Sequence, residues 1–206
     1  KPVQYWRDTI DGTVPAGAGQ VLLANAQGTL VVGQDLSNTT HGVAMGFSSG
    51  VTIRDNRASN DRAGIYLYAS VGATVTRNAM VGDGIVILGD QAGHYSTHTI
   101  DASNTVNGKP LYYYANTVGL TVPPGAGEVI LASTARMTVE DQSLDDGSVG
   151  IEIVASSETS VVNTTANRNR FWGVFGLQIA DSGLVSVPAS SNEEVGILLA
   201  GSQFTP

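Results

Sequence analysis

Short apolar stretches that begin with glycine recur along the chain at nearly constant spacing. In the first half they start at Gly19, Gly42, Gly64 and Gly84, which are 23, 22 and 20 residues apart. Stretches such as GQVLLA and GIYLYA have the short, alternating character typical of half-buried β-strands. A second short strand, such as TLVVGQ or VTIRDN, lies between successive starts. A unit of about 20 to 24 residues with two strands and turns of Gly, Asn and Ser predicts one coil of a β-solenoid.

The second half of the chain repeats the first. Residues 1–61 align without gaps with residues 109–169, and about a third of the aligned positions are identical. The second half has its own glycine starts at Gly127, Gly150, Gly173 or Gly176, and Gly196. The sequence therefore predicts two homologous modules, residues 1–108 and residues 109–206, in one continuous stack, and leaves open whether the second module is complete.

Stacked coils would place equivalent aliphatic side chains above one another, at the strand spacing of about 4.8 Å. The predicted columns are Val21/Val43/Ile65/Ile85 and Val31/Ile53/Val75. The same alignment puts Asn56 above Asn78, with Gln34 below, where stacked amides hydrogen-bond along the axis. A β-sandwich also has many short strands. Because a sandwich does not need a glycine in every coil, an all-β parallel solenoid is the favoured fold class.

These repeats resemble the NosD-like family of right-handed parallel β-helix proteins. The resemblance lies in GIYLYASVGATVTRN, in the segment from Asn104 to Thr117 and in VPPGAGEVILA. It implies a right-handed β-helix of the kind found in secreted and surface proteins of archaea and bacteria. The family also includes periplasmic proteins that assist copper-site maturation, carbohydrate-binding proteins and sugar-cleaving enzymes. A copper site favours Cys, Met or clustered His, whereas this chain has no Cys and its three methionines lie in apolar stretches, which disfavours copper handling.

The charge and composition exclude several classes of function. The net charge of −8 would repel a polyanion, so no nucleic-acid partner is expected. The lack of Cys removes disulfides and thiolate chemistry. No apolar stretch is long enough for a membrane-spanning helix. The sequons at Asn38 and Asn163 are compatible with a glycosylated extracellular or cell-surface protein, with the periplasm as the other location considered.

One polar cluster is a candidate catalytic site. If the coils stack, Asp55 and Asp61 would join Arg77 and Asp83 on one flank. Sugar-cleaving enzymes use paired carboxylates, or Ca²⁺ held by carboxylates together with a basic residue. The second module replaces residues 54–57 with Val, Asn, Thr and Thr, so at most one copy could be catalytic. The alternative is a set of solvated ion pairs of little energetic value, and a protein without enzymatic activity is favoured.

Two further groups are weak candidates for metal binding. The acidic turn Glu140, Asp141, Asp145 and Asp146 could bind Ca²⁺ through carboxylates and carbonyls, although a solvated turn is favoured. His94 and His98 would lie about 13 Å apart in an extended chain, and the surrounding sequence has no helical character. No other cofactor is expected.

The aromatic pairs and the ends of the chain indicate how the protein is used. Tyr5-Trp6 and Tyr112 to Tyr114 occupy equivalent places in the two modules, which favours packing over sugar stacking. Neither end shows a capping helix, so we expect further modules or copies of the chain stacked end to end. The sequence thus predicts a structural repeat of a microbial surface layer, sheath, filament or adhesin, with an archaeon as the expected source. A carbohydrate-binding or polysaccharide-cleaving protein that contacts surface glycans is the alternative, and a copper-maturation protein is the second alternative.

Overall fold

A computed structural model describes residues 1–203, and almost all of its regular structure is β-strand. The first half contains β1 (Val3–Arg7), β2 (Gln20–Ala24), β3 (Leu30–Val32), β4 (His41–Gly46), β5 (Thr52–Arg54), β6 (Arg57–Ser59), β7 (Ala63–Tyr68), β8 (Thr74–Thr76), β9 (Ala79–Val81), β10 (Ile85–Leu88), α1 (Gly93–Ser96), β11 (Thr99–Ile100) and β12 (Thr105–Val106). The second half contains β13 (Lys109–Ala115), β14 (Glu128–Ala132), β15 (Thr138–Glu140), β16 (Val149–Val154), β17 (Ser160–Val162), β18 (Trp172–Leu177), β19 (Gly183–Val185) and β20 (Val195–Ala200).

Strands in equivalent positions of successive coils form the parallel sheets of a solenoid. In the first half, β1, β2, β4, β7 and β10 line one face, β3, β5, β8 and β11 a second, and β6, β9 and β12 a third. In the second half, β13, β14, β16, β18 and β20 form the corresponding first face, and β15, β17 and β19 form the second. The predicted parallel solenoid is confirmed. The register of β18 on β16 identifies Gly173 as the glycine start of its coil.

Aliphatic columns form the core as the repeat predicted. Val21, Val43, Ile65 and Ile85 are in direct register, and each is at most 2% exposed. The second column, Val31/Ile53/Val75, continues to Ile100. Each coil thus covers the apolar side chains of its neighbours, and the hydrophobic effect acts along the whole stack.

The predicted amide stack is also present, and it has one more member than expected. Gln34, Asn56, Asn78 and Asn104 follow one another at a turn of four coils. The amide oxygen of each accepts a hydrogen bond from the backbone N–H of the residue in the coil before, at 2.8 Å from Gln34 to Asn56 and 3.1 Å from Asn56 to Asn78. The Asn78 amide nitrogen donates to the Ile53 carbonyl at 2.9 Å. Backbone groups that the turn leaves unpaired are therefore satisfied by side chains.

The glycine starts occur where neighbouring coils approach too closely for a side chain. A Cβ on Gly42 would lie 2.7 Å from the Gly64 carbonyl oxygen, and one on Gly150 would lie 2.7 Å from the Gly173 carbonyl oxygen. A side chain at either position would collide with the backbone of the next coil, which explains why glycine recurs with the period of the coil.

The two halves meet at a reversal of chain direction. After β12 the chain turns at Asn107-Gly108, and β13 pairs with β12 antiparallel, Thr105 lying opposite Pro110 and Val106 opposite Lys109. Residue 109, where the sequence repeat begins again, directly follows this turn. The expected uninterrupted parallel winding is interrupted here, because a two-residue connection allows only an antiparallel pair. We therefore call the two bodies of parallel coils the first stack, residues 1–108, and the second stack, residues 109–203.

Candidate functional site

The structure separates the four candidate catalytic residues into two pairs with different surroundings. Asp55 is at the surface, where it accepts hydrogen bonds from Arg77 Nε at 2.7 Å and Arg77 Nη2 at 3.0 Å. Arg54 also contacts this carboxylate, at 2.7 Å. The hydrogen bond from Arg77 is the main reason that the pKa of Asp55 falls to about 2. A carboxylate held by two guanidinium groups is a poor proton donor or acceptor near neutral pH.

Asp61 and Asp83 are completely buried and form a second ladder between coils. Asp83 Oδ2 accepts from the Asp61 backbone N–H at 3.0 Å, and Asp61 Oδ1 accepts from the backbone N–H and the hydroxyl of Thr39. Within the described residues no hydrogen bond reaches Asp61 Oδ2 or Asp83 Oδ1. Burial raises the pKa of Asp61 and raises that of Asp83 to about 7. Both carboxyls are therefore closed off from a substrate.

The second stack builds the same ladder with asparagine. Asn169 Oδ1 accepts from the Gly147 N–H at 2.8 Å, and Asn192 Oδ1 accepts from the Asn169 N–H at 2.8 Å. Asn169 aligns with Asp61, and Asn192 occupies the position of Asp83 in the next coil. Neutral amides thus perform the task of the two aspartates. The shared role of this position is to accept a backbone hydrogen bond, for which no acid is required.

Two buried carboxyls with strongly raised pKa values lie where β10 of the first stack contacts the outer face of β14 and β16. We call this contact the joint. Glu128 Oε2 accepts from the Ile85 N–H at 3.0 Å, and Glu152 Oε2 accepts from the Ile87 N–H at 3.3 Å. Both glutamates are fully buried. Burial raises the pKa of Glu152 to about 8 and that of Glu128 well above its usual range. Near neutral pH Glu152 is therefore a neutral acid, and burial favours the neutral form of Glu128 as well.

Further contacts fix the joint on each side of the glutamates. The Ser148 hydroxyl accepts from the Gly84 N–H at 2.7 Å and donates to the Arg62 carbonyl at 2.9 Å. The Tyr113 hydroxyl donates to the Tyr95 carbonyl at 2.7 Å. The Arg62 guanidinium lies 4.3 Å above the ring of Phe171, a favourable cation–π distance. Together these contacts seal the free edge of β10 with side chains of the second stack.

The joint escaped prediction from the sequence. In GEVILA and GIEIVA the two glutamates occupy outward positions of strands, which normally face water. A signal was nevertheless available: the other outward residues of these strands, Ile130, Ala132 and Val154, are apolar, as expected for a face covered by protein.

The acidic turn has partners within the protein. Asp141 Oδ1 accepts from the amide of Asn163 at 2.6 Å. Asp145 Oδ1 accepts from the Asn167 N–H at 2.7 Å, and Asp146 forms a bidentate ion pair with Arg168 at 2.7 and 2.8 Å. These four hydrogen bonds engage three different carboxylates. In residues 1–203 no three His, Asp or Glu side chains come together as a metal site. Of the remaining candidates, Glu140 is exposed, as are the sequon residues Asn38 and Asn163.

The expectation of an extended chain around His94 and His98 was wrong. The segment forms the single helical turn α1, and the His98 ring bonds to the His94 carbonyl at 2.8 Å. The other ring nitrogen of His98 accepts from the Ala73 N–H at 3.1 Å, and burial lowers the pKa of the ring. His98 is thus a neutral histidine with both nitrogens occupied by backbone groups, which leaves neither for a metal.

An aromatic surface covers the outer face of the first stack. One outward column runs Tyr5, Leu22, Ala44 and Tyr66, in register across four strands. Tyr5 is 61% exposed, and Phe47 and Tyr68, which are also exposed, meet edge to face at 5.4 Å. We call this surface, formed by the outward residues of β1, β2, β4 and β7, the outer face of the first stack. By contrast, Trp6, Tyr112 and Tyr114 point inward and cover the first coil of each stack.

The topology and the site define a parallel β-solenoid whose buried acids serve the packing between coils and between stacks. A family model described as a right-handed β-helix region matches residues 41–205, and the chain belongs to this family. The predicted handedness and the β-helix resemblance are thereby confirmed. A comparison with curated proteins gives no significant match.

Several solved structures resemble the chain at low identity. A mutant of the periplasmic alginate epimerase AlgG has 14% identity and a TM-score of 0.41, over 88% of this chain and 47% of that one. An alginate lyase from Paenibacillus sp. str. FPU-7 has 10% identity and a TM-score of 0.36, over 90% and 74% of the two chains. Tailspike protein 3 of bacteriophage CBA120 has 13% identity and a TM-score of 0.29, over 100% and 43%. The chain spans about half the length of the epimerase, and likeness at this level carries no argument about substrate.

Among the described residues, none of the helices has the length and apolar character required to cross a membrane.

Proposed function

We propose that this protein is a non-enzymatic structural repeat module of an extracellular protein on a microbial, archaeal-type cell surface, where it contributes to a surface layer, sheath, filament or adhesin. The observation that carries the proposal is the exchange of the Asp61–Asp83 ladder for the Asn169–Asn192 ladder in the second stack. A group that an amide replaces in the same hydrogen bond serves geometry rather than proton transfer. The acids that looked most like a catalytic pair thus support a structural role.

The joint supports the same proposal. The last coil of a solenoid leaves a strand edge that pairs readily with other chains unless it is capped. Here Glu128 and Glu152 satisfy the N–H groups of β10, and the outer face of the second stack covers the end of the first. Two stacks fixed in this way form one stiff unit, as a load-carrying scaffold requires.

The remaining parts of the proposal rest on composition and motifs. The exposed sequons at Asn38 and Asn163 agree with an extracellular location. The net charge of −8 disfavours a nucleic-acid partner. We place the chain in the NosD-like branch of the family because of its repeat motif, without the copper role. No cofactor is part of the proposal, and Ca²⁺ at the acidic turn of Glu140, Asp141, Asp145 and Asp146 remains a candidate whose test is the melting temperature with and without a chelator.

Two measurements test the structural role. Incubation with a panel of polyuronates and neutral glucans should give no cleavage by the wild type beyond that of the double variant Asp61→Asn/Asp83→Asn. Cleavage that the double variant abolishes would contradict the proposal. In the second measurement, hydrogen exchange at the amides of Ile85 and Ile87 should be as slow as in the central strands, because the joint opens only with the whole unit. Rapid exchange there would indicate two independently moving stacks.

A second candidate function is glycan binding at the outer face of the first stack. The exposed rings of Tyr5, Phe47 and Tyr68 favour it, since sugar rings stack on such surfaces. A glycan array probed with the wild type and with Tyr68→Ala tests this candidate. Glycan binding that the substitution removes would support this candidate. If the array shows no binding, only the structural role remains as the proposal.

A further inference from the structure

The outer face of the first stack has a counterpart in the second stack that is largely covered. The column Tyr5, Leu22, Ala44 and Tyr66 corresponds to Tyr113, Ile130, Glu152 and Phe175, which are in register on β13, β14, β16 and β18. Ile130 and Glu152 have no exposed surface, and Phe175 is 6% exposed. The covering element is the end of the first stack, with Ile85, Val86 and Ile87 of β10.

The covering strand, β10, also has an equivalent in the second stack, which is β20. The register of β20 on β18 matches that of β10 on β7, so Ile197 and Leu199 correspond to Ile85 and Ile87. Ile85 and Ile87 are buried at the joint, whereas Ile197 is 41% and Leu199 is 38% exposed. In residues 1–203 β20 pairs with β18 alone. Within residues 1–203, the outer face of the first stack and the β20 edge are therefore both uncovered. They are equivalent to the face and the edge that bind each other at the joint.

We propose that the outer face of the first stack binds the β20 edge of a second copy of this chain, in the arrangement of the joint. The contact is heterologous, since a face meets an edge, so repeating it from copy to copy generates a ring or an open filament. Each edge meets the side of the next stack, which differs from the end-to-end stacking expected from the sequence. This inference rests on the structural role proposed above and specifies the partner.

The residues present on the face set the strength of the contact. At the joint two carboxyls accept the N–H groups of β10, whereas the corresponding positions of the first stack are Gln20 and Ala44. The Gln20 amide nitrogen already donates to the His41 carbonyl at 2.9 Å, which leaves its oxygen for one edge N–H. A second N–H would have no acceptor. Association should therefore be weaker than the joint and should depend on concentration, with apolar burial by Leu22, Tyr66 and Tyr68 as its main source.

Sedimentation velocity and light scattering of the full chain over a concentration series up to about 1 mM test the proposal. The mass of the wild type should rise from 21.3 kDa towards twice that value and beyond. Leu22→Arg on the face and Leu199→Lys on the edge should each hold the protein at the monomer mass. The matched controls Leu30→Arg and Val185→Lys, at exposed outward positions of β3 and β19, should associate like the wild type.

Mixing the two variants provides the sharper test. Leu22→Arg keeps an intact edge and Leu199→Lys keeps an intact face, so an equimolar mixture should form dimers and nothing larger. A wild type that stays monomeric throughout the series would overturn the proposal, as would association that neither substitution weakens. Monomers that bind a glycan through Tyr68 would assign the face to carbohydrate instead. None of these outcomes produces polysaccharide cleavage, so failure here is distinguishable from failure of the structural role.

Discussion

Replacing Asp83 by asparagine should make the protein more stable at neutral and alkaline pH. Asp83 is fully buried, and its Oδ2 accepts the Asp61 N–H at 3.0 Å. An asparagine oxygen accepts the same bond. Its nitrogen would face the Ala58 carbonyl, because the corresponding nitrogen of Asn192 donates to the Ala166 carbonyl at 3.1 Å. The Asp83→Asn variant thus keeps the geometry and removes the ionisable group.

The magnitude follows from the pKa of the carboxyl. Burial raises the pKa of Asp83 from 3.8 to about 7, so the folded protein binds this proton more tightly than the unfolded chain. The stabilisation by this proton is complete below pH 3.8 and is lost as the pH rises through about 7. Between pH 4 and pH 8 the loss amounts to about 4 kcal/mol. The variant has no such loss, so its free energy of unfolding relative to the wild type should rise by about that amount.

Urea unfolding followed by circular dichroism at pH 4, 6 and 8 measures this difference. Contributions from titrating groups that do not interact with Asp83 cancel in the comparison of variant with wild type, and the neighbouring Asp61 is the group whose own titration changes with the substitution. Asn169→Asp is the matched reverse variant, since it places a carboxyl at a fully buried ladder position of the second stack, and it should lose stability as the pH rises. A difference between Asp83→Asn and the wild type that is the same at pH 4 and pH 8 would refute the reasoning.

Three further predictions concern the joint, the amide stack at Asn78 and the surface ion pairs of Asp55. Glu152→Gln should reduce the decrease in the free energy of unfolding between pH 5 and pH 9. The pKa of this buried acid is about 8, so the folded state loses its proton only at alkaline pH. Equal pH dependence for variant and wild type in urea unfolding would contradict this. Asn78→Ala should cost about 3 kcal/mol or more in urea unfolding, because it leaves the buried Asn56 N–H and the Ile53 carbonyl without partners; a loss below about 1 kcal/mol would show that water replaces the ladder. Asp55→Asn should leave the midpoint of urea unfolding unchanged, since its ion pairs with Arg54 and Arg77 are at the surface, and a large shift would mean that this cluster is structural.

The sequence predicted those parts of the fold that repeat. The columns of Val21 and Val31 and the stack of Asn56 on Asn78 follow from a period of 22 residues, which fixes the partner of each residue in the next coil. The catalytic interpretation of Asp61 and Asp83 could have been weakened from the alignment alone, because Asn169 stands at the position of Asp61.

The parts that could not be predicted are those without a period. Glu128 and Ile85 are 43 residues apart and belong to different stacks, so no repeat relates them. The helical turn α1 lacks a side-chain cap, and a single turn leaves little periodic signal. Its position is set by tertiary contacts such as the bond from Tyr113 to the Tyr95 carbonyl.

The way in which the glutamates bind β10 has a consequence for aggregation. A bare strand edge is a template on which any other strand can continue hydrogen bonding. A carboxyl side chain occupies the donors of that edge but offers no row of backbone groups to a newcomer, so it terminates sheet growth. The pKa of Glu152 is about 8, so at higher pH the joint must bury a charge, and this desolvation cost favours its opening. In alkaline solution the β10 edge should therefore become exposed before the protein unfolds, and the protein should aggregate by pairing with strands of other chains.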